Sequence, residues 1–253
     1  MDQQLKALLW DVDGTLAETE FEGHRHGFNL AFQEFGLPWH WDRDTYRGLL
    51  AVSGGRERLA AYRHQQGEPP WPQERIETLM AAKQRHYVAL VAAGGLALRP
   101  GVAPLIAEAQ AAGIPQAIVT TSSRSAVAAL LGGVGSSLSE AFAFWVCGED
   151  VARKKPDPQG YQLALDQLEP SPGSVVVLED SVAGLAAATA AGLPCLVTLS
   201  DLSRQEPAAD FVAAVAVVET LESASGPVPV RQGPTCDQSR VTLSYLQQLL
   251  ERR

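Results

Sequence analysis

Short apolar runs that end in turn or polar residues constrain the fold of this chain more than any other feature. Five such runs alternate with stretches of helical periodicity: residues 7–10, 114–120, 144–147, 175–178 and 195–199. Strands that are apolar on both sides and alternate with helices are typical of a parallel sheet covered on both faces. The sequence therefore predicts an α/β fold with a Rossmann-like parallel sheet and helices on both faces.

The segment 18–92 interrupts this alternation, because it contains helical patterns and loops but no convincing strand. Within it, apolar side chains of residues 76–91 recur at the i, i+3, i+4, i+7 spacing of an amphipathic helix. Gly- and Pro-rich breaks separate the helical patterns. We therefore predict that 18–92 is an all-α cap, inserted directly after the first strand.

The remaining residues divide into a core and a C-terminal segment. We predict that residues 1–17 and 93–222 form one catalytic core. The composition changes at SASGPVPVRQG (223–233), which is typical of a linker. A short amphipathic pattern follows it, so we expect 223–253 to be a linker and a helix that either docks on the core or remains a loose tail.

Composition excludes several classes of partner and compartment. A formal net charge of −9 argues against nucleic acid, and no apolar run approaches the roughly 20 residues that span a bilayer. The three cysteines are far apart in sequence, which favours a reducing compartment over a disulfide framework. The polar start MDQQLK does not resemble a signal peptide. We expect a cytoplasmic monomer, or a stromal protein if a transit peptide has been removed.

Two acidic pairs follow predicted strands. Asp11 and Asp13 come directly after the first apolar run, and Glu179 and Asp180 follow VVVL. Carboxylates this close repel each other unless a cation lies between them, and oxygen-only ligands favour a hard ion such as Mg²⁺. We therefore predict a magnesium site held by Asp11, Asp13, Asp180 and Glu179.

Hydroxyl and lysine side chains at other strand ends complete a set suited to phosphoryl transfer through an aspartyl-phosphate. Asp11 is the predicted nucleophile, and Asp13 the acid for the leaving oxygen and then the base for water. Lys155 and the Thr121 hydroxyl would neutralise charge on the transferred group. The spacing allows Thr120 in place of Thr121, although the serines after Thr121 favour the latter.

Four motifs in order resemble those of the haloacid dehalogenase superfamily: DVDGT at 11–15, VTTSS at 119–123, KKPDP at 154–158 and LEDSVAG at 178–184. The resemblance covers about residues 6–199. It implies that Asp11, the main-chain carbonyl of Asp13 and Asp180 hold Mg²⁺, with Glu179 nearby. It also implies a cap of the kind that closes over small soluble substrates, and Asp13 favours phosphate over halide chemistry.

Several cap residues could either contact a substrate or serve the fold. Lys83 lies within the apolar stripe of its helix, where it either snorkels to solvent or meets an anion. The stretch SGGRER at 53–58 suits a phosphate, or is a glycine turn before a surface helix. His24 shares a face with Phe28 and could be a core histidine. Glu18 could cap a helix or accept a hydrogen bond from a sugar hydroxyl.

Stretches such as GHRHGFN, SGGRERL and KQRHY resemble those of CbbY-type phosphatases, relatives of β-phosphoglucomutase associated with the Calvin cycle. This resemblance implies a sugar-phosphate substrate, xylulose 1,5-bisphosphate, dephosphorylated at C1. It also implies a set of substrate-binding residues: Glu18, His24, Ser53, Gly54, Gly55, Arg56, Glu57, Lys83, His86, Thr121, Ser122 and Ser123. Arg56 and Lys83 would then provide a cationic site far from the metal.

Other functions compete with this interpretation. A hexose-phosphate mutase of the β-phosphoglucomutase type would use the same fold, but His24 is displaced by one residue from the mutase pattern. A phosphatase for another small ester, such as phosphoglycolate, would keep the chemistry and change the substrate. A non-catalytic metabolite sensor would not need the nucleophile Asp11.

Overall fold

The structure is a computed structural model that describes residues 4–52 and 54–252 of the 253-residue chain. Within these residues, one sheet contains seven strands in the order β3-β2-β1-β4-β5-β6-β7. All neighbouring strands are parallel except β6 and β7, which are antiparallel. The strands are β1 Ala7–Trp10, β2 Gln116–Val119, β3 Phe144–Val146, β4 Val175–Glu179, β5 Cys195–Thr198, β6 Ala216–Val218 and β7 Val230–Gln232.

Helices connect the strands and form the inserted segment. A π-helical turn, Glu20–Arg25, leads into the first of them. The helices are α1 His26–Glu34, α2 Arg43–Leu49, α3 Gly55–Gln65, α4 Gln73–Ala92, α5 Val102–Ala111, α6 Arg124–Val134, α7 Ser136–Ser139, α8 Gln159–Leu168, α9 Val182–Ala190 and α10 Leu243–Glu251. Ser123 and Ser181 cap α6 and α9, where each hydroxyl accepts a first-turn backbone N–H.

The sheet is buried on both faces, as the uninterrupted apolar runs require. In β1, Leu8 and Trp10 pack toward α5, α6 and α10, whereas Ala7 and Leu9 pack toward α8 and α9. Successive side chains of a strand point to opposite faces, so a strand covered on both sides must be apolar at every position. The predicted α/β fold is confirmed, and each of the five apolar runs contains a strand.

The structure differs from the sequence-based prediction after residue 199. β6 is only three residues long, and β7 lies within the segment 223–233 that was predicted as a linker. Val228 is buried and Val230 pairs with Val218, so this segment is part of the sheet edge. Two valines separated by one residue among Pro and Gly are too short a pattern to predict a strand.

The C-terminal helix docks on the core, which resolves the alternative left open by the sequence. Tyr245, Leu246, Leu249 and Leu250 of α10 are buried in the cluster that contains α5. The side chain of Gln247 accepts the backbone N–H of Leu5 at 2.7 Å. The residues that lead into β1 therefore contact the last helix.

The helices between residues 20 and 92 have a hydrophobic cluster of their own, which includes Phe28, Phe32 and Trp41. The chain enters and leaves this segment side by side, because Ala17 forms a β-bridge with Leu98. These features agree with an inserted cap. No helix in the described part of the chain is long and apolar enough to cross a membrane.

The buried Arg99 links the two ends of the inserted segment to the sheet. Its backbone N–H donates to the Leu16 carbonyl at 2.8 Å. Its guanidinium donates to the carbonyls of Gly14, Thr198 and Leu199. One arginine thus holds the base of the inserted segment against the loop that carries DVDGT.

Candidate active site

Three carboxylates meet at the carboxyl end of the sheet. Asp11 follows β1, Glu179 ends β4, and Asp180 follows it. β1 and β4 are neighbours in parallel, with Trp10 opposite Leu178, so the residues after them lie side by side. One oxygen of each carboxylate lies within 4.8 Å of the other two, and all three residues are buried. The structure therefore brings the two acidic pairs together.

Lys155 supplies the positive charge within this cluster. Its ammonium group donates to Asp11 Oδ1 at 2.6 Å, to Glu179 Oε1 at 2.6 Å and to the Val119 carbonyl at 2.7 Å. Burial alone would lower the pKa of Lys155, but the two carboxylates raise it above its ordinary value. Lys155 therefore remains charged and joins the ends of three neighbouring strands.

One lysine does not neutralise three buried carboxylates. Burial raises the pKa of Asp11 well above its usual range; Lys155 opposes this rise, and Glu179 and Asp180 add to it. Burial also raises the pKa of Asp180, with Glu179 as the main neighbouring cause. Ionised forms of all three need more positive charge, and an oxygen-only donor set suits a hard divalent cation. The cluster could therefore hold a metal ion.

Asp11 and Asp180 are the carboxylates best placed to be metal ligands. The oxygens of Glu179 already accept hydrogen bonds from Lys155, from the Tyr161 hydroxyl at 2.7 Å and from the Asp180 backbone N–H at 3.2 Å. The Ser181 hydroxyl, at 3.3 Å, donates a fourth hydrogen bond to the Glu179 carboxylate and leaves little room for another ligand. Glu179 thus orients Lys155, and the direct metal contact predicted for Glu179 stays a prediction.

Gly14 explains why DVDGT needs a glycine at its fourth position. Its φ is +87°, a left-handed conformation that side chains disfavour. A Cβ atom built there would lie 2.1 Å from Asp180 Oδ2. Glycine therefore lets the Asp180 carboxylate approach the loop that carries Asp11 and Asp13.

Asp13 is held by three donors on its carboxylate. The hydroxyls of Thr19 and Ser122 donate to it, and His24 Nε2 lies 2.9 Å from Oδ1. Burial alone would raise the pKa of Asp13, but the His24 charge and these three hydrogen bonds hold it well below its usual range. Asp13 is therefore ionised in this arrangement.

His24 connects Asp13 to the cap lysine that the sequence singled out. The second nitrogen of its ring, Nδ1, lies 2.7 Å from Lys83 Nζ, and the ring stacks on Tyr87 with centroids 4.6 Å apart. Lys83 is buried and its ammonium lies 5.5 Å from the centre of the Phe28 ring. Burial lowers the pKa of Lys83 to about 8. His24 is thus a buried polar link between Asp13 and α4.

The two threonines of the second motif have different environments. Thr120 is buried, and its hydroxyl accepts the Ser122 backbone N–H at 3.1 Å. Thr121 lines a cleft between the inserted helices and the sheet, together with Ser122 and Ser123. This placement favours Thr121 over Thr120 as the hydroxyl that meets a substrate.

The cleft contains two adjacent chambers that share part of their lining. The acidic chamber, about 570 Å³, contains Asp11, Asp180 and Lys155 in its lining. The distal chamber, about 440 Å³, contains Lys83 and Ser123 in its lining. The residues that line both chambers form a waist between them: Asp13, Glu20, Gly54, Arg58 and Thr121. The two chambers thus lie side by side, one at the carboxylate cluster and one at Lys83.

The predicted substrate loop lies at the distal chamber. Gly54, Gly55, Arg56 and Glu57 all line it, and the side chain of Arg56 is half exposed, with Nη1 3.9 Å from Glu77. Ser53, which was predicted with them, lies outside the described residues.

Two predicted substrate residues lie elsewhere. His86 Nε2 is 2.9 Å from Glu34 Oε2, and His86 is not part of the lining of either chamber. Glu18 pairs with Arg99 at 3.1 Å and is likewise outside both linings. On α4, three residues turn the helix by about 300°, so His86 lies about 60° around the axis from Lys83 and reaches Glu34 of α1 instead. In this structure Glu18 helps to hold Arg99 at the base of the inserted segment.

Two residues of the waist were not among the predicted substrate-binding residues: Glu20 was missed, and Arg58 was named only within the SGGRER stretch. The Tyr46 hydroxyl donates to Glu20 Oε2 at 2.7 Å, and Arg58 Nη1 donates to the Tyr46 hydroxyl at 2.7 Å. Arg58 is only 7% exposed and carries a compensating partner in Glu20, 3.6 Å away. A signal existed for Arg58, because it is the second arginine of the stretch that was expected to suit a phosphate.

Comparison with known families agrees with this geometry. A family model for haloacid dehalogenase-like hydrolases matches residues 5–192. The chain therefore belongs to the haloacid dehalogenase-like hydrolases. The CbbY protein of Cereibacter sphaeroides is 46% identical over 88% of this chain and 95% of its own length. CbbY of Rhodobacter capsulatus is 44% identical over 88% and 96%. Within the family, the chain falls in the CbbY branch.

Solved structures support the same placement. A crystal structure of CbbY from Rhodobacter sphaeroides in complex with phosphate has a TM-score of 0.80 and 44% identity, covering 86% of this chain and 95% of that one. A crystal structure of a mutant of the same protein, in complex with xylulose-(1,5)bisphosphate, has the same TM-score of 0.80 and the same 44% identity. A putative β-phosphoglucomutase from Thermotoga maritima has a TM-score of 0.65 and 27% identity, covering 85% of this chain and 94% of that one. The chain is a hydrolase of the phosphatase type.

Proposed function

We propose that this protein is a Mg²⁺-dependent sugar-bisphosphate phosphatase that hydrolyses xylulose 1,5-bisphosphate at C1 to xylulose 5-phosphate. The observation that carries the proposal is the two-chamber cleft. One end has Asp11, Lys155 and Asp180, and the other has the cations Arg56 and Lys83. A molecule with a phosphate at each end matches this arrangement once a divalent cation offsets the carboxylates of the acidic chamber. The complex of a CbbY mutant with xylulose-(1,5)bisphosphate supports the same substrate.

In the first step, a carboxylate oxygen of Asp11 attacks the phosphorus of the C1 phosphate. A P–O bond forms to Asp11 as the bond from phosphorus to the C1 oxygen breaks, and Asp13 gives its proton to that oxygen. Lys155 and the Thr121 hydroxyl bind the transferred oxygens. Mg²⁺ bound by Asp11, Asp180 and the Asp13 carbonyl would supply further positive charge to the phosphate.

In the second step, water attacks the phosphorus of the aspartyl-phosphate and gives a proton to Asp13. The bond to Asp11 breaks, so phosphate leaves and both aspartates return to their starting states. The arrangement seen here, with Asp13 ionised by its bonds to His24 and Ser122, suits the base of this step. The acid step requires Asp13 to carry a proton, and therefore to leave His24 before the sugar departs.

A phosphate-release screen tests this function. The purified protein is assayed with xylulose 1,5-bisphosphate, xylulose 5-phosphate, glucose 1-phosphate and phosphoglycolate, with Mg²⁺ and after chelation by EDTA. We expect the bisphosphate to give the highest kcat/KM, and chelation to remove the activity until Mg²⁺ is restored. Preference for phosphoglycolate would contradict the substrate but keep the chemistry. Conversion of glucose 1-phosphate to glucose 6-phosphate, dependent on a bisphosphate activator, would establish the mutase instead.

The pKa of Lys83 gives a pH-dependent prediction. Lys83 is cationic below about pH 8 and neutral above it, because burial lowers its pKa to about 8. Charge from Glu20 and Asp13 opposes that effect, and Arg58 adds to it. If the charged form binds the distal phosphate, kcat/KM for the bisphosphate falls above pH 8, by up to about tenfold per pH unit.

Lys83→Arg is the informative variant, because arginine stays charged over this range. We expect its profile to remain flat where the wild-type profile falls, although its absolute kcat/KM is lower. A wild-type profile that is flat to pH 10, or the same fall in both proteins, would remove Lys83 from substrate binding.

A further inference from the structure

We infer that Lys154, the residue before the catalytic lysine, is a specificity residue that binds the second phosphate of the substrate. This inference rests on the proposed function and extends it. Lys154 belongs to the core, whereas Arg56 and Lys83 belong to the inserted helices. All three line the distal chamber. The second phosphate would therefore contact both parts of the protein.

The two consecutive lysines serve different chambers. Lys155 is buried with its ammonium group on Asp11 and Glu179. Lys154 is absent from the lining of the acidic chamber and present in that of the distal chamber. Its side chain is 28% exposed, which leaves the ammonium group accessible to a ligand that enters there. The pair thus places one lysine at each end of the cleft.

Lys154 reaches the start of α3 across the distal chamber. Its Nζ lies 3.6 Å from Glu57 Oε1, in the first turn of α3. A Cβ atom on Gly54 would lie 2.8 Å from Lys154 Nζ and 2.2 Å from Glu57 Oε2. The φ of Gly54 is +94°, which also favours glycine. Gly54 therefore makes room for both side chains.

A phosphate is a stronger partner for Lys154 than this carboxylate. The Glu57 side chain is about half exposed, and 3.6 Å is beyond hydrogen-bond distance, so the ion pair is weak. A phosphate in the distal chamber carries more charge and can bind Lys83 and Arg56 at the same time. It would take the place of Glu57 on Lys154, since two anions repel each other there. Its binding then holds the core and the inserted helices together.

The chain offers a matched control in Arg153. It is also a cation beside Lys155, but its guanidinium is exposed and pairs with Asp157 at 2.5 Å on the protein surface. A general effect of charge, or a disturbance of the Lys155 loop, would therefore follow from Arg153→Met as well as from Lys154→Met.

The experiment compares two substrates that differ only in the second phosphate: xylulose 1,5-bisphosphate and xylulose 1-phosphate, both with Mg²⁺. For Lys154→Met we expect KM for the bisphosphate to rise about 10- to 100-fold, the loss of one charged hydrogen bond. We expect KM for the monophosphate and kcat for both to stay within about twofold. Lys154→Arg should retain most of the bisphosphate affinity, and Arg153→Met should match the wild type on both substrates.

Each other outcome overturns a defined part of the proposal. An unchanged bisphosphate KM in Lys154→Met, or an equal loss on both substrates, would exclude Lys154 as a ligand of the second phosphate. Glu57→Gln should lower KM for the bisphosphate by removing a competing anion; an increase would show that Glu57 itself binds the substrate. Wild-type protein that releases no phosphate from the bisphosphate would contradict the proposed function, and this inference with it.

Discussion

Replacement of Asp11 by Asn is expected to reduce kcat for phosphate release by at least about 10⁴-fold. The amide cannot form the aspartyl-phosphate, so both chemical steps are lost. The variant keeps the size of the side chain and an oxygen that can still accept from Lys155, which now lies 2.6 Å from Oδ1. The measurement is steady-state phosphate release from the bisphosphate with saturating Mg²⁺.

Asp166→Asn is a suitable control, because Asp166 is an exposed aspartate on α8 outside both chambers. It should retain wild-type activity. Titration calorimetry should show that Asp11→Asn still binds the bisphosphate, so that the loss lies in chemistry and not in folding. Residual activity above about 1% of wild type would mean that another group is the nucleophile.

Lys155→Met is expected to weaken both activity and stability. The variant leaves Asp11 and Glu179 buried without the cation that now lies 2.6 Å from each. Breaking a buried ion pair on one side costs about 3–5 kcal/mol of unfolding free energy. Loss of a charged donor to the transferred oxygens reduces kcat by about 10²–10³-fold. Urea unfolding in the absence of Mg²⁺ and phosphate release with Mg²⁺ measure the two effects separately.

A double variant distinguishes charge from packing. Lys155→Met combined with Glu179→Gln removes one buried negative charge along with the lysine, so it should recover part of the lost stability but none of the activity. If Lys155→Met unfolds at the wild-type urea concentration, the lysine does not compensate the acidic cluster in the way its contacts indicate.

The sequence predicted the central strands of the sheet better than the strands at its edge. Central strands are buried on both faces, so all of β1 and the first four residues of β4 are apolar, and the two apolar runs end at Asp11 and Glu179. β6 and β7 at the edge are three residues each, and their pattern is no stronger than that of a loop. Edge strands therefore need tertiary contacts that a local pattern does not contain.

The residues of the cleft were also predictable only where a local sequence pattern fixes their position. Residues fixed by the sheet, such as Asp11, Lys155 and Thr121, could be assigned because strand ends converge. Residues of the inserted helices depend on how those helices pack. A π-helical turn over Glu20–Arg25 places Glu20, and not Glu18, at the waist between the chambers. Spacing in the sequence does not reveal such a turn.

The contact between Leu5 and Gln247 bears on how this protein can be handled. Leu5 precedes β1, so this contact lies near the amino ends of the strands, whereas Asp11 and the cleft lie at their carboxyl ends. An affinity tag, a surface tether or a fused second enzyme attached beside either residue would lie at the amino ends of the strands, opposite the cleft. Substrate would then still have a clear approach to the protein.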